Sequence, residues 1–418
     1  MCRAKSSGVP PAMFAPTAAS LSFASGEVSH FAISALSLDT MAGGVPAGAS
    51  TPNHHDASKP GMPCSARIIP PMRKSFAAVA FVLAATAGLA FAQSAPHGPD
   101  GYRNNYPHGG RESFWAWQFE RWRDGLPEPP PRGWNLPAVK TDPMALASPD
   151  ANPSVTWIGH ATMFVRLGGK SILFDPIFAE RASPFPFAGP KRVVPLPIDI
   201  PELPRIDVVL ISHNHYDHLD ADTVMRLAAM EQGTPRFLVP LGLKAWFATL
   251  GITRVDEYDW WQETREGDLR ITFVPVQHWS KRRLDDANQT LWGGWVLEGE
   301  GLRLIHTGDT GYSQDFLDIG ERLGPFDMAF IPIGSYAPRW FMKVMHVDVP
   351  EAVQIRADLK AARAIGMHWG TFESLSDEPL DEPPVLLARK RREQGLSEVE
   401  FDVLKIGETR RLEKAAAR

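Results

Sequence analysis

The residues with the clearest chemistry in this chain lie in one short segment, Ser212-His213-Asn214-His215-Tyr216-Asp217-His218-Leu219-Asp220. Three histidines and a carboxylate follow the pattern H-x-H-x-D-H. Neutral imidazoles and carboxylates are ligands that zinc and similar borderline metals accept. The spacing lets His213 and His215 face one metal ion, while Asp217 and His218 face a second ion after a tight turn. The pattern therefore predicts a two-metal hydrolase.

The elements that must position these side chains are strands. Residues 206–211 form an apolar, β-branched run, which predicts a buried strand directly before the motif. Residues 269–276 predict another strand, and His278 lies just beyond its end. Because a histidine at a strand end repeats the arrangement of the first motif, we interpret His278 as a further metal ligand.

Two more candidate ligands follow apolar runs. Residues 302–306 predict a strand that leads into Gly308-Asp309-Thr310-Gly311, where the glycines permit a tight turn that points the carboxylate inward. Asp309 is therefore the candidate for a ligand that bridges both metals. Residues 364–367 lead into His368 in the same way, and His368 would complete the ligand set of the second metal.

Four other polar residues near predicted strands have different interpretations. His160 lies between two strand segments and His306 lies within a strand, so we interpret both as structural histidines. Asp175 ends a buried strand, where it either orients a metal-bound histidine by hydrogen bonding or caps the strand. His346 is placed to reach the metal pocket without being a ligand. There it could protonate a leaving alkoxide.

Helical and strand patterns alternate through this part of the chain. Helices are predicted over 222–230 and 243–250, and a strand lies between them at 236–240. Asp348 and Glu351 stand at capping-box spacing before a helix predicted to cover residues 352–361. The alternation predicts a layered α/β fold.

Composition restricts the classes of partner. The chain has 418 residues and a net charge of -5, and no run of lysine or arginine is interleaved with its 13 tryptophans, so we expect no nucleic-acid partner. The two cysteines, Cys2 and Cys64, lie far before the metal motif. The predicted catalytic region therefore has neither a disulfide nor a cysteine nucleophile.

The first 92 residues are expected to lie outside the catalytic domain. Residues 1–71 are rich in alanine, serine, glycine and proline, which predicts disorder or an over-long gene model. Residues 72–92 have a basic start, an apolar run and Ala90-Phe91-Ala92, the form of a secretory signal peptide. A short membrane anchor or a buried helix is the alternative. A mature chain from Gln93 would be exported to the periplasm or secreted.

Residues 93–150 are interpreted as an entry segment that ends in a proline-rich linker. Within it, Trp115, Phe119 and Trp122 recur at helical spacing and give one helix face an aromatic character. This face could contact a membrane surface or line an acyl-chain groove. The alternative is that this face packs against the main domain. We assign the main domain, the predicted hydrolase, to residues 151–413.

A proline-rich segment over residues 181–204 is predicted to be a long loop near the active site rather than part of the core. Its Lys191 and Arg192 would either meet an anionic substrate or be ordinary surface charges.

Together these motifs resemble those of the metallo-β-lactamase superfamily, and more closely those of its phospholipases D that hydrolyse N-acylphosphatidylethanolamine. The resemblance covers about residues 155–412 and implies a four-layered αββα sandwich with metals at one edge of the sheets. The motifs that carry it, besides H-x-H-x-D-H, are Trp157-Ile158-Gly159-His160-Ala161-Thr162, Asp175-Pro176-Ile177-Phe178, Gly189-Pro190-Lys191-Arg192, Gln277-His278-Trp279, Gly308-Asp309-Thr310-Gly311-Tyr312, Pro338-Arg339-Trp340-Phe341-Met342, His346-Val347-Asp348 and His368-Trp369-Gly370-Thr371-Phe372.

The resemblance implies a role for each matching residue. Two zinc ions would be bound, with iron or manganese in place of one as the alternative. The first ion would be held by His213, His215 and His278, the second by Asp217, His218 and His368, and Asp309 would bridge them. His346 would lie near the scissile phosphate. Asp217, Asp309 and His346 form the predicted catalytic set.

The implied reaction is cleavage of a phospholipid phosphodiester to phosphatidic acid and an N-acylethanolamine, with hydroxide held by the two metals attacking phosphorus. Peripheral contact with a membrane would accompany it. The alternative is a lactonase or another hydrolase of the same fold acting on a small anionic substrate, and a third reading is a metal-binding protein without catalysis. The entry segment before Val155 does not match the family, and because this segment helps to shape the membrane-facing groove there, the resemblance does not determine the lipid specificity. The sequence gives no prediction of the oligomeric state.

Overall fold

The computed structural model describes residues 94–110, 112–148 and 153–414. The predicted extension (1–71) and the predicted signal peptide (72–92) lie outside these residues. In chain order the elements are β1 (His97–Gly98), β2 (Gly101–Tyr102), α1 (Phe114–Asp124), α2 (Pro143–Ala147), β3 (Ser154–Gly159), β4 (Thr162–Leu167), β5 (Lys170–Phe174), β6 (Val208–Leu210), α3 (Ala221–Ala228), β7 (Arg236–Pro240), α4 (Lys244–Thr249), β8 (Val255–Tyr258), β9 (Glu263–Glu266), β10 (Leu269–Val274), β11 (Gly294–Gly299), β12 (Leu302–His306), α5 (Asp315–Arg322), β13 (Phe326–Pro332), α6 (Arg339–Met342), α7 (Val349–Asp358), β14 (Ala361–Met367), α8 (Glu382–Gln394), β15 (Phe401–Asp402) and β16 (Thr409–Arg411).

Two seven-stranded sheets carry the fold. The first has the order β16-β3-β4-β5-β6-β7-β8, and the second has the order β15-β14-β13-β12-β11-β10-β9. In the first sheet β3, β4 and β5 pair antiparallel, whereas β5 to β8 are parallel. In the second sheet β9 to β12 pair antiparallel, and β12 to β15 are parallel.

Alternation of side chains along the strands places a separate core on each face of the first sheet. In β6, Val208 and Leu210 join the large core between the two sheets, and Val209 points to the other face. There it packs with Leu227 of α3 and Phe247 of α4. Because successive strand residues face opposite sides, the apolar run of β6 serves both layers.

Helices also cover the outer face of the second sheet. Ile319 of α5, Ile355 of α7 and Leu387 of α8 belong to the same buried cluster as Ala329 of β13 and Ile365 of β14. The predicted αββα order of layers is therefore confirmed.

The strands that precede the candidate ligands share a direction within each sheet. Because β3 and β5 are both antiparallel to β4, and β6 is parallel to β5, the ends of β3, β5 and β6 lie at one edge. By the same reasoning β10, β12, β13 and β14 end together in the second sheet. Residues that follow these strands are thereby gathered at the strand ends of the two sheets.

The structure differs from the sequence prediction in the helix that was expected over 352–361. It begins after Asp348, whose carboxylate forms the predicted capping box with Glu351, but it ends at Asp358. Lys360 has a φ of 55°, which breaks the helical path, and Ala361 already belongs to β14.

The proline-rich loop is partly core, so its prediction was wrong for its second half. Ile198, Ile200 and Leu203 are buried with the cluster under α3 and α4. The large apolar side chains that are exposed, Phe185 and Phe187, lie in the first half of the segment.

The two basic residues of this loop have different surroundings. Arg192 is half-buried, and its guanidinium donates hydrogen bonds to the carbonyls of Ile177 and Ala179 and lies over the ring of Phe372. Burial lowers the pKa of Arg192 to about 10. Lys191 pairs with Glu180 at 3.3 Å.

Helix α1 is attached through a residue other than the predicted face. Trp117 stacks on Phe341 with 4.6 Å between ring centroids, and its indole donates to Asp377. Arg121 donates to the same carboxylate and lies over the Trp117 ring. The predicted face of Trp115, Phe119 and Trp122 points to solvent instead, with 59%, 57% and 80% of these side chains exposed. Within the described residues, no helix has the length and apolar character needed to cross a bilayer.

Candidate metal centre

The seven predicted ligands lie together at the edge where the strands end. Four groups of histidine and carboxylate side chains have ligand atoms that all lie within 4.8 Å of one another, and the groups share members. They are His213, His215 and His278; His213, His218 and Asp309; His160, Asp217, His218 and His368; and Asp309, His346 and His368.

The first group brings three imidazole nitrogens to one point. The Nδ1 atom of His215 lies 2.8 Å from Nε2 of His213 and 3.3 Å from Nε2 of His278. The other ring nitrogen of His278 contacts the carbonyl of Met345 at 2.9 Å. Since only an N–H can donate to that carbonyl, Nε2 of neutral His278 carries a lone pair into the centre.

One buried carboxylate, Asp175, orients two histidines of the motif. Its Oδ2 lies 2.8 Å from Nδ1 of His218 and accepts a hydrogen bond of 2.6 Å from the hydroxyl of Ser212. The Ser212 oxygen lies 2.9 Å from Nδ1 of His213. Because the one Ser212 proton goes to Asp175, the oxygen accepts from His213, and Nε2 of His213 is left as a ligand atom. Of the two roles proposed for Asp175, the geometry therefore favours that of an orienting partner.

Ser212 was not identified from the sequence. The one signal in the sequence is its position between the strand before the motif and His213. That position does not indicate a function, because serine is not an expected metal ligand there. The contact to Asp175, 37 residues earlier in the chain, gives Ser212 its function.

Asp217, His218 and His368, the predicted ligands of the second metal, lie beside Asp309, and we call these four residues the second group. The group combines two carboxylates with two imidazoles. The Oδ2 atom of Asp309 lies 3.0 Å from Nε2 of both His218 and His368, and 4.0 Å from Nε2 of His213. The Oδ2 atom of Asp217 lies 3.5 Å from His218 and 3.4 Å from His368. Asp309 is thus the carboxylate that touches both groups of ligands, as predicted for a bridging ligand.

The electrostatics of the second group favour positive charge. Burial alone would lower the pKa of His368, but Asp309 and Asp217 raise it to about 9. Burial would likewise lower the pKa of His218, which the same two carboxylates hold well above its usual range. Burial would raise the pKa of Asp309, but His218 and His368 keep it well below its usual range. The two carboxylates therefore favour positive charge beside them, which protons on the imidazoles or a bound metal ion would supply.

The first group has the opposite balance. Burial holds the pKa values of His213 and His278 well below the usual range, and it lowers that of His215 to about 4. These three imidazoles are neutral near pH 7, which is the state in which histidine binds a metal.

Some polar atoms of the ligand residues have no hydrogen-bond partner among the described residues, and this supports a metal at the centre. Oδ1 of Asp309 and Nε2 of His215 are buried in this way. Unpaired buried polar atoms are rare in native proteins because each costs about 1–3 kcal/mol. Imidazoles and carboxylates are the donor set of zinc and other transition metals. The residues present therefore fit a pair of such ions.

His160 is closer to the chemistry than its interpretation as a structural histidine allowed. Its Nε2 lies 2.9 Å from Oδ2 of Asp217, and its ring centroid lies 3.9 Å from that of His368. Burial lowers the pKa of His160 to about 3, so the ring is neutral and donates to the Asp217 carboxylate. His160 thereby orients a predicted ligand. His306 has the expected structural role, since it contacts the Ala161 carbonyl and accepts from the Gly308 amide.

The backbone is strained around these residues. His160, Asp175 and His368 have φ values of 53°, 39° and 62°. Such left-handed conformations cost of order 1–3 kcal/mol each outside glycine and concentrate at functional sites. Gly308 is required by space as well as by its φ of 63°, because a Cβ atom there would lie 2.7 Å from the Cβ of Ser212.

His346 borders the centre on its open side. Its Nδ1 lies 3.9 Å from Oδ2 of Asp309 and has no hydrogen-bond partner among the residues that the structure describes. The segment is fixed by Arg339, which donates to the His346 carbonyl at 2.7 Å and to Glu351 at 2.7 Å. His346 and the predicted ligand His215 are half-buried, whereas the other six predicted ligands are buried. The centre therefore opens to solvent beside these two histidines.

Replacing Asp175 by Asn is expected to lower zinc affinity by about 10–100-fold, the usual effect of losing a partner that orients a ligand. The amide loses the charge that holds His218 and the Ser212 hydroxyl, but asparagine tolerates the positive φ at this position. Competition with a chromophoric chelator measures the effect. Unchanged zinc affinity in a folded variant would contradict the orienting role.

The family model described as a β-lactamase superfamily domain matches residues 170–369. An N-acyl-phosphatidylethanolamine-hydrolyzing phospholipase D from Caenorhabditis elegans is 44% identical over 238 residues, which cover 54% of this chain and 67% of that protein. A metal-dependent hydrolase from Methanopyrus kandleri is 32% identical over 263 residues, covering 61% of this chain and 98% of that protein.

Among solved structures, a possible metal-dependent hydrolase from Veillonella parvula superimposes with a TM-score of 0.51 at 18% identity. The superposition covers 62% of this chain and 99% of that structure, and it supports the fold alone. With the αββα layers, the clustered ligands and these relatives in agreement, the chain belongs to the metallo-β-lactamase superfamily, as one of its metal-dependent hydrolases.

Proposed function

We propose that this hydrolase is a two-zinc phosphodiesterase of the phospholipase D type, acting on a phospholipid such as N-acylphosphatidylethanolamine. The observation that carries the proposal is the position of Asp309, which contacts members of both ligand groups. The 44% identity to the worm enzyme named for this substrate supports the choice of phospholipid.

The residues have distinct tasks in this proposal. His213, His215 and His278 would hold the first metal, Asp217, His218 and His368 would hold the second, and Asp309 would serve both. When bound, two such ions supply Lewis-acid stabilisation of a phosphate and an activated water at neutral pH. His346, on the open side with its Nδ1 3.9 Å from Oδ2 of Asp309, would give a proton to the leaving alcohol.

A substrate panel tests the proposal. The purified zinc-loaded protein is given N-acylphosphatidylethanolamine, phosphatidylethanolamine, a soluble bis-aryl phosphodiester and a lactone. Release of phosphatidic acid and an N-acylethanolamine is the expected result. Turnover of the soluble diester alone would keep the chemistry and reject the lipid, while turnover of the lactone alone would favour a lactonase.

We propose in addition that helix α1 contacts the membrane that holds the substrate. Its exposed aromatic face lies on a helix that packs against the segment carrying His346, because Trp117 stacks on Phe341 and Glu120 accepts from Trp340. Aromatic side chains with exposed faces partition into the interfacial region of a bilayer.

Replacing Trp115, Phe119 and Trp122 together by Ser is expected to weaken binding to phosphatidylethanolamine vesicles, since the exposed aromatic area is lost. Turnover of the soluble diester should not change. Sedimentation with vesicles measures binding. Ser at Val385 and Val399, which are similarly exposed apolar residues, is the control. Vesicle binding equal to that of the unmodified protein would reject the proposed membrane contact.

Export remains a proposal that depends on the basic start, apolar run and small residues over 72–92. Mass spectrometry of the natural product is expected to find an N-terminus near Gln93. A product that begins at Met1 would contradict it.

A further inference from the structure

The segment before α1 is attached to the metal centre by hydrogen bonds that the sequence did not reveal. We call residues 94–110 the strap. Tyr102 donates from its backbone to the Asn288 carbonyl at 2.8 Å, and Asn105 donates to Asp315 at 2.9 Å. Between these two attachments, Asn104 contacts a predicted metal ligand.

Asn104 pairs with both backbone groups of His278. Its Oδ1 accepts a hydrogen bond of 3.0 Å from the His278 amide, and its Nδ2 donates one of 3.0 Å to the His278 carbonyl. The same Oδ1 accepts from the indole of Trp292 at 3.1 Å. The side-chain amide of Asn104 thus forms the pair of hydrogen bonds to the His278 backbone that a neighbouring strand would form. Its oxygen is the acceptor and its nitrogen the donor.

We propose that Asn104 is a positioning residue that fixes His278 as a ligand of the first metal. The inference rests on the metal centre of the proposed function. The imidazole of His278 is oriented by the Met345 carbonyl, but its backbone follows the end of β10, where the ladder to β11 stops at Val274. Asn104 supplies the missing backbone contacts. Loss of this support lets Nε2 of His278 move away from His213 and His215.

A second feature shows that the strap is built to lie at this place. Gly101 has a φ of 98°, and a Cβ atom there would lie 2.2 Å from the Asn288 carbonyl oxygen. Asn288 in turn donates from its backbone to the Ser280 carbonyl at 2.8 Å, so the strap is joined to the segment that follows His278. The close approach requires glycine, because any larger residue would lift the strap from its contacts.

The strap also forms one wall of a cavity of about 420 Å³ beside the centre. Asn104, Asn105 and His108 line it from the strap, and His278 and Trp279 also line it. Asn104 thus borders the cavity and contacts the backbone of the predicted metal ligand.

The test compares Asn104→Ala with Asn105→Ala. The second variant removes a hydrogen bond of the same strap to Asp315 but none to His278, so it controls for general loosening of the strap. Zinc affinity is measured by competition with a chromophoric chelator, and the visible spectrum of the cobalt-loaded protein reports the ligand geometry. Neither readout requires a substrate.

Asn104→Ala is expected to weaken one of the two zinc sites by about 10–100-fold and to change the cobalt spectrum. Asn105→Ala should leave both unchanged. Asn104→Asp keeps the acceptor for the His278 amide and loses the donor, so its zinc affinity should be intermediate. This variant also carries the test if the alanine variant does not fold.

Three results would overturn the inference. In the first, Asn104→Ala changes neither the zinc affinity nor the cobalt spectrum. In the second, the Asn104 and Asn105 variants lose zinc affinity equally. In the third, the unmodified protein retains no zinc. The first two leave the proposed function intact, and the third rejects both. A protein that shows the expected zinc losses but cleaves no phosphodiester would reject the function and keep the role of Asn104.

Discussion

Replacing Asp309 by Asn is expected to abolish hydrolysis and to weaken metal retention. Oδ2 of Asp309 lies 3.0 Å from His218 and His368 and 4.0 Å from His213, so one carboxylate serves both ligand groups. The amide removes the negative charge and turns an N–H₂ group or a weaker acceptor toward the imidazoles. The loss should exceed the ~10–100-fold that follows removal of an orienting partner, because Asp309 is itself a predicted ligand of both ions.

The measurements are metal content after dialysis and the rate on the soluble diester. Asp285→Asn, which removes an exposed carboxylate paired with Arg283, controls for the change of one charge and should behave as the unmodified protein. An active, fully metallated Asp309→Asn protein would overturn the bridging role. Loss of metal without loss of fold, measured by circular dichroism, is the outcome that supports it.

Replacing His346 by Ala is expected to lower the rate by about 10²–10⁴-fold, the usual contribution of a general acid, while metal content stays normal. The ring borders the open side of the centre, and its Nδ1 has no hydrogen-bond partner within the described part of the chain. Burial lowers the pKa of His346 to about 4, so the ring is neutral in the free protein. A bound phosphodiester anion opposes this effect, because a nearby negative charge favours the imidazolium form.

The choice of leaving group separates proton donation from other roles of His346. An aryl alcohol leaves without a proton, so the defect should shrink on a bis-aryl diester and remain large on an alkyl diester. An equal defect on both would show that His346 positions the substrate instead. Loss of metal from the variant would place His346 among the ligands, a role that its contact with Asp309 and His368 also allows.

The sequence could predict the candidate ligands because each lies after an apolar run. The pairing of strands in the two sheets, which is a tertiary property, brings His213, His278, Asp309 and His368 together, but the runs that mark β6, β10, β12 and β14 are local. Apolar runs with a polar residue at the end carry this information in a few consecutive positions. The layers of the fold follow from the same pattern.

Other parts of the site depend on contacts between distant parts of the chain. His160 meets Asp217 over 57 residues, and Asn104 meets His278 over 174 residues. No local sequence pattern predicts either contact, because each depends on how the two sheets and the strap pack together. For this reason the sequence alone indicates a structural role for His160, and no sequence pattern marks Asn104.

Helix α1 shows the same division. The periodicity of Trp115, Phe119 and Trp122 predicted an aromatic face but gave no reason to choose between packing and exposure. The structure decided it through Trp117, whose ring is covered by Phe341 and Arg121. Sequence determined which side chains share a face, since that follows from 3.6 residues per turn. Only the tertiary structure determined which face is buried, because burial depends on the shape of the surface that the helix meets.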